Sequence, residues 1–155
     1  MSNPHEKIKL IATNKKAYRF YDILEKKEAG IQLTGSEIKS IRAGKVNFKD
    51  SYVRFKNGEA YIVGLHISPY EKAAHFGHDP ERMRKLLLHK REILSWQGKV
   101  QQKGLTVIPL RMYLKGPWAK LEIALCRGKN IRDRREELKR KALKMDIARQ
   151  MSKYK

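Results

Sequence analysis

The feature that most constrains this chain is the dipeptide Asn57-Gly58, set inside SYVRFKNGEAYIVGLHI. A two-residue hairpin loop of the favoured kind needs positive φ at both central residues, and Asn-Gly meets that need at least cost. The runs on either side alternate apolar with polar, the period of a strand with one wet face. A β-hairpin is therefore set locally. An isolated hairpin is marginal in water, so the rest of the chain must supply strands to pair with it and a layer to cover it.

A second hairpin is read in LTVIPLRMYLKGPWAKLEIALC. Ala119, Leu121, Ile123 and Leu125 alternate with Trp118, Lys120, Glu122 and Ala124, which predicts a core face and a wet face. Pro109 has no N–H for a ladder, so its strand belongs at an edge or at a bulge. YRFYDIL and IQL read as two short strands joined by a turn at Ala29-Gly30. LTGSEIKSIRAGK reads as a short helix over 37–43, capped by Ser36 and stopped by Gly44. KREILSWQGKVQQKG reads as a helix over 90–102 that Gly104 ends, with Ile93, Leu94, Trp96, Gln97 and Val100 on one face.

Residues 1–13 lack a strong pattern and are expected to be a mobile N-terminus. Short strands around one interior helix predict a mainly β fold over 14–127. The expected form is a small antiparallel β-barrel related to the oligonucleotide-binding fold, with two or three helices, followed by a basic C-terminal tail over 128–155.

The chain of 155 residues carries 36 Lys+Arg against 16 Asp+Glu, a net charge of +20. Such a charge is held at a cost in self-repulsion and points to a polyanionic partner, nucleic acid first. No apolar run approaches the ~20 residues of a membrane span. MSNPHEKIKLIATNKK lacks the apolar run of a signal peptide. The single cysteine, Cys126, forms no intramolecular disulfide and fits a reducing compartment. A cytoplasmic protein without a membrane partner is expected.

The stretch RKLLLHKREI poses the sharpest question. On one continuous helix from Arg84, Leu88 would point away from Ile93 and Leu94. With period two, Leu86 and Leu88 share a buried face, while Lys85, Leu87 and His89 share the other. A cation, a leucine and an imidazole in a row suit an RNA backbone and an unstacked base. The alternative is that all three leucines are core and the basic residues only solvated.

The tail from Gly128 holds 11 Lys+Arg against 4 Asp+Glu. Asp133 and Glu136 have capping-box-like spacing, and Glu136–Arg140 and Glu137–Lys141 are helix-supporting pairs. Its apolar residues fall on two thin stripes, Leu138, Ala142, Met145 and Ala148 on one, Leu143, Ile147, Met151 and Tyr154 on the other. Neither is wide enough to fix a helix to the body, so the tail is expected to be disordered alone and to order on a polyanion.

No catalytic constellation assembles. His75, His78 and His89 with Asp79 lack a Cys partner and the spacing of a metal site. AGK and RGK lack the frame of a phosphate-cradling loop. Cys126 lies in a strand pattern without an evident base. The expectation is a protein without metal, cofactor or enzymatic activity.

Taken together, several stretches resemble the SsrA-binding protein family, also called small protein B. They are NKKA at 14–17, EAGIQLTGSEIKSIRAGKVNFKDSYV at 28–53, HISPYE at 66–71, HDPERMRKLLLHKREI at 78–93, KGLTVIPLRMYLK at 103–115 and IALCRGKNIRDRRE at 123–136. The resemblance implies an adaptor that binds the tRNA-like domain of transfer-messenger RNA and delivers it to stalled ribosomes. There the nascent chain is tagged and the ribosome released. It implies RNA contacts at Glu28, Leu87 and His89, to which Lys85, Asn14 and Lys15 are added as expected RNA-binding residues. The tail implied to lie in the empty message channel carries Gly128, Lys129, Asp133, Arg134, Arg135, Ile147 and Met151. Asn130 and Arg134 depart from the family's lysines, and Arg19 stands where a decoding-centre histidine occurs in some members. A monomer is expected. A ribosomal or assembly protein, or a general RNA chaperone, would use the same basic surface.

Overall fold

The computed structural model describes residues 7–69 and 79–128. In chain order its elements are β1 (Ile8–Thr13), α1 (Lys15–Phe20), β2 (Tyr21–Ile31), α2 (Gly35–Arg42), β3 (Val46–Asn47), β4 (Tyr52–Lys56), β5 (Glu59–Val63), β6 (His66–Ile67), β7 (Arg84–Leu87), α3 (Lys90–Lys103), β8 (Thr106–Lys115) and β9 (Trp118–Gly128). Seven strands form one antiparallel sheet in the order β1-β8-β9-β2-β7-β5-β4, and β3 pairs with β6 apart from it. The fold is mainly β, with three helices among the described residues.

Both hairpins are where the sequence puts them. Asn57 and Gly58 take φ of 53° and 74°, and β4 pairs with β5 from Tyr52–Val63 to Lys56–Glu59. Strands β8 and β9 pair from Thr106–Cys126 to Lys115–Trp118.

The closed barrel is not found. Among the described residues the sheet ends in two edges, β1 and β4. Strand β4 packs against β8, but β8 already gives both of its ladder edges to β1 and β9. The sheet curls without a hydrogen-bonded seam. Register shifts at Ile11, Leu24 and Leu110 add β-bulges to β1, β2 and β8, and bulges bend and twist the strands that carry them.

Other expectations are corrected. Ile8–Thr13 is an edge strand paired with β8 rather than a mobile segment. Ala29-Gly30 is no turn: β2 is continuous, and Gly30 pairs with Lys120 on one side and Leu87 on the other. The bulge alternative holds for Pro109, since β8 is an interior strand. Ser36 is not the cap of α2. Thr34 Oγ1 accepts from the Glu37 N–H at 3.3 Å, and Glu37 Oε1 accepts from the Thr34 N–H at 2.8 Å, a capping box. Gly44 stops the helix with φ of 75°.

Helix α3 is amphipathic rather than interior. It buries Ile93 and Trp96, while Leu94 is 53% exposed. Gly104, with φ of 61°, ends it. The supposed wet face of β9 is wet only in part, because Ala17 of α1 covers Ala124 and Cys126 with Ile108 and Leu110 as a second small core. The main core lies on the other face, around Trp96, Ile41, Ile62, Leu65, Leu121, Ile123 and Leu125.

Candidate nucleic-acid interface

The segment around the three leucines is extended, as its two-residue period requires. Leu86 is buried at 1% exposure, Leu88 packs against the core, and Leu87 stands 54% exposed. Lys85 shares the outer side of the strand, and His89 is exposed at the N-cap of α3. Lys85, Leu87 and His89 line one groove of about 450 Å³ together with Glu28, Gly30, Glu59 and Lys120. Glu28 comes from β2, the strand beside β7, so four of the six residues expected to bind RNA meet in one place.

Glycine at position 30 has a packing reason. A Cβ there would lie 3.1 Å from Leu87 Cβ and 3.3 Å from its Cδ1. The missing side chain lets Leu87 lie over β2 and form the floor and wall of the groove.

Glu28 is fixed from across the sheet. The Tyr113 hydroxyl donates to Oε2, and Lys115 Nζ lies 3.6 Å from Oε1. Burial raises the Tyr113 pKa, and its hydrogen bond to Glu28 raises it further, so the phenol remains a donor at neutral pH. The Glu28 side chain is still 40% exposed. It therefore presents acceptor capacity with a set orientation, the chemistry that reads a base amino group or a 2′-OH. At the far wall, the His89 N–H donates to Glu92 Oε1 at 3.1 Å, and Lys27 Nζ meets Glu92 Oε2 at 3.2 Å. Burial opposes ionisation of Glu92, but the hydrogen bonds from His89 and Lys27 outweigh it and hold the carboxyl below its ordinary value.

What anchors β7 escaped the sequence reading. Glu37 and Arg84 are both fully buried. Arg84 Nε donates to Glu37 Oε2, and its other nitrogens donate to the carbonyls of Leu65 at 2.8 Å, Pro80 at 3.0 Å and Arg82 at 3.2 Å. Arg82 completes the cluster with 2.5 and 3.2 Å bonds to the same carboxylate. The strand that offers Leu87 to solvent is thereby tied to α2 three residues earlier. The spacing of Thr34 and Glu37 signals a capping box, but nothing in the sequence says that this carboxylate also receives two guanidinium groups.

The remaining expected site residues lie elsewhere. Asn14 is buried, and its Nδ2 donates to the Pro109 carbonyl at 2.8 Å while its N–H donates to Leu110 at 2.7 Å. These bonds hold the β8 bulge, so the side chain does not serve the groove. Lys15 opens α1 and Arg19 lies in its last turn, both exposed. Next to them is a larger cavity of about 640 Å³ lined by Asn14, Lys16, Phe20, Tyr21, Tyr52 and Gly128, among others. Tyr21 and Glu28 lie seven residues apart on β2, roughly 20 Å at the rise of a strand, so the two concavities sit toward opposite ends of one strand. Gly128 closes β9 beside the larger one. Lys129, Asp133, Arg134, Arg135, Ile147 and Met151 lie outside the described residues, as do His75 and His78. Burial pushes the Cys126 thiol up to about 12, which keeps it a neutral thiol at neutral pH. Among the described residues no helix is long and apolar enough to cross a membrane.

Residues 11–153 match the family model of the SmpB protein. The SsrA-binding protein of Microcystis aeruginosa is 55% identical over 152 residues, 97% of this chain and 99% of that protein. Those of Solidesulfovibrio magneticus and of a Sulfurihydrogenibium species are 56% and 58% identical, over 94% and 90% of this chain and 95% and 91% of theirs. A chain in a solved structure described as "tmRNA-SmpB: a journey to the center of the bacterial ribosome" is 50% identical. It superposes with a TM-score of 0.66 over 77% of this chain and 85% of that one.

Proposed function

The chain belongs to the SmpB family, and from that premise we propose that it is an RNA-binding adaptor. It binds the tRNA-like domain of transfer-messenger RNA and brings it to stalled ribosomes for trans-translation, so that the nascent chain is tagged and the ribosome released. The observation that carries the RNA-binding step is the convergence of Glu28, Lys85, Leu87 and His89 in one groove of a chain with net charge +20. Phosphate contacts supply affinity and steering through the lysines and arginines. The groove supplies choice: an apolar surface for a base face and an oriented carboxylate for a donor edge. Relatives named for binding SsrA and a neighbour from a tmRNA–SmpB ribosome structure support the same partners.

In this reading the sheet is a variant of the oligonucleotide-binding architecture, supported by its mainly antiparallel order and by the packing of β4 on β8. Residues 14–127, together with strand β1, form the RNA-binding body. Residues 128–155 engage the message channel through Gly128, Lys129, Asp133, Arg134, Arg135, Ile147 and Met151, and Arg19 reaches toward the decoding centre from the end of α1. The protein works in the cytoplasm as a monomer, by binding rather than by catalysis.

Equilibrium binding to the tRNA-like domain, beside ordinary tRNA across a salt series, tests the function. The tRNA-like domain should keep a large advantage at physiological salt while the two slopes stay similar, because the discriminating contacts are not ionic. Coincident curves at every salt would mark a phosphate-counting chaperone instead. In the same assay Glu28→Ala and Leu87→Ala should each weaken the preferred RNA by about 1–3 kcal/mol, the worth of a base stack or a paired base contact. A lowered melting temperature at unchanged affinity would make both residues structural.

A further inference from the structure

The groove does not end at Glu28. Directly opposed residues on neighbouring strands share a sheet face. Lys120 on β9 pairs with Gly30 and Tyr113, and two residues along, Trp118 pairs with Lys115. Lys115 in turn faces Ile8 on the edge strand. Lys120 lines the groove, and Lys115 reaches back to Glu28 at 3.6 Å. The outer face therefore runs without a break from Leu87 and Glu28, across two lysines, to Trp118 at the tip of the β8–β9 hairpin. Trp118 is 65% exposed. Its hairpin turns at Gly116, whose φ of 58° is one a larger side chain would resist.

An exposed indole beside two cations, continuous with a nucleic-acid groove, has the makings of a stacking platform. We infer that Trp118 is a second RNA-binding position, which stacks on an unpaired base of the same RNA while Lys115 and Lys120 hold the intervening backbone. The inference rests on the groove reading above and extends it by two strands. A tryptophan kept only for the fold would bury its ring, as Trp96 does at 1% exposure.

Those two are the only tryptophans in the chain, so acrylamide quenching of fluorescence reports mainly on Trp118. Adding a transcript of the tRNA-like domain should shield Trp118 from quencher. Trp118→Ala should weaken binding about tenfold, as loss of one stacked base does, with the salt slope unchanged. Trp118→Phe should retain most of the affinity, since a π face remains. Equal quenching with and without RNA overturns the inference, and so does shielding with unchanged affinity of Trp118→Ala. Leu87→Ala separates the two claims. If it weakens binding and Trp118→Ala does not, only this extension fails. If neither does, the groove reading fails with it.

Discussion

Glu37→Ala should destabilise the fold by about 3–5 kcal/mol, the range for removing one member of a buried ion pair. Total stabilities of such domains are only about 5–15 kcal/mol. The cost is large because Arg84 has nowhere to go. With both side chains fully buried, the guanidinium would keep only the carbonyls of Leu65, Arg82 and Pro80 as acceptors. Those dipoles satisfy its hydrogen bonds but leave its charge uncompensated. The same change removes half of the capping box of α2. Urea titration should show a lower midpoint at an unchanged slope. Glu37→Leu combined with Arg84→Met should recover part of the loss, because a buried pair replaced by apolar residues carries no unpaired charge.

The cluster also sets an acid limit. Burial pushes the Glu37 pKa up, but bonds from Arg82, Thr34 and Arg84 outweigh it and hold the carboxyl below its ordinary value of 4.5. A carboxylate with a depressed folded value stabilises fully above the unfolded value and progressively less as pH falls through the folded one. The wild type should therefore lose stability below about pH 4.5, and Glu37→Ala should lack that component of the loss. A Glu37→Ala variant that melts like wild type at pH 7 would show that the pair only breaks even against water.

Truncation after Arg127 should separate the two halves of the proposed function. The tail carries 11 Lys+Arg and 4 Asp+Glu, +7 of the total +20, and its removal leaves a body of +13. That body retains the groove, Glu28 and its tyrosine, and the lysines of the outer face. Affinity for the tRNA-like domain should therefore fall little at physiological salt. Tagging of nascent chains on message-less ribosomes should be abolished, because nothing would remain to occupy the message channel. Both can be read from the same preparation, by equilibrium binding and by a reconstituted tagging assay. Loss of RNA affinity as severe as the loss of tagging would mean that the tail is part of the RNA site.

Much of this was legible locally. Asn57-Gly58 fixes its own hairpin because the turn geometry is decided by two residues. The face assignment of Lys85, Leu87 and His89 follows from a period of two over five residues. What failed was non-local. Whether a sheet closes depends on which strand edges are left free, and β8 spends both of its own on β1 and β9. Ala29-Gly30 looks like a turn until Leu87 is known to lie over it. Leu94 shares a wheel face with Ile93, yet it stands 53% exposed. The partnership of Glu37 with Arg84, 47 residues apart, has no periodicity to betray it. Of the site, Glu28 entered through the family resemblance. Its support by Tyr113 and Lys115 is a property of strand register alone.

The hollow above Gly30 bears on the entropy of recognition. Fixing a mobile leucine side chain costs about 0.5–1 kcal/mol in rotamer freedom. Leu87 has given up part of that freedom during folding, because its Cβ and Cδ1 already rest against the bare backbone of β2. The tyrosine that holds Glu28 does the same for the carboxylate. The groove thus meets its ligand with both walls preorganised, and more of each contact is left to appear as affinity.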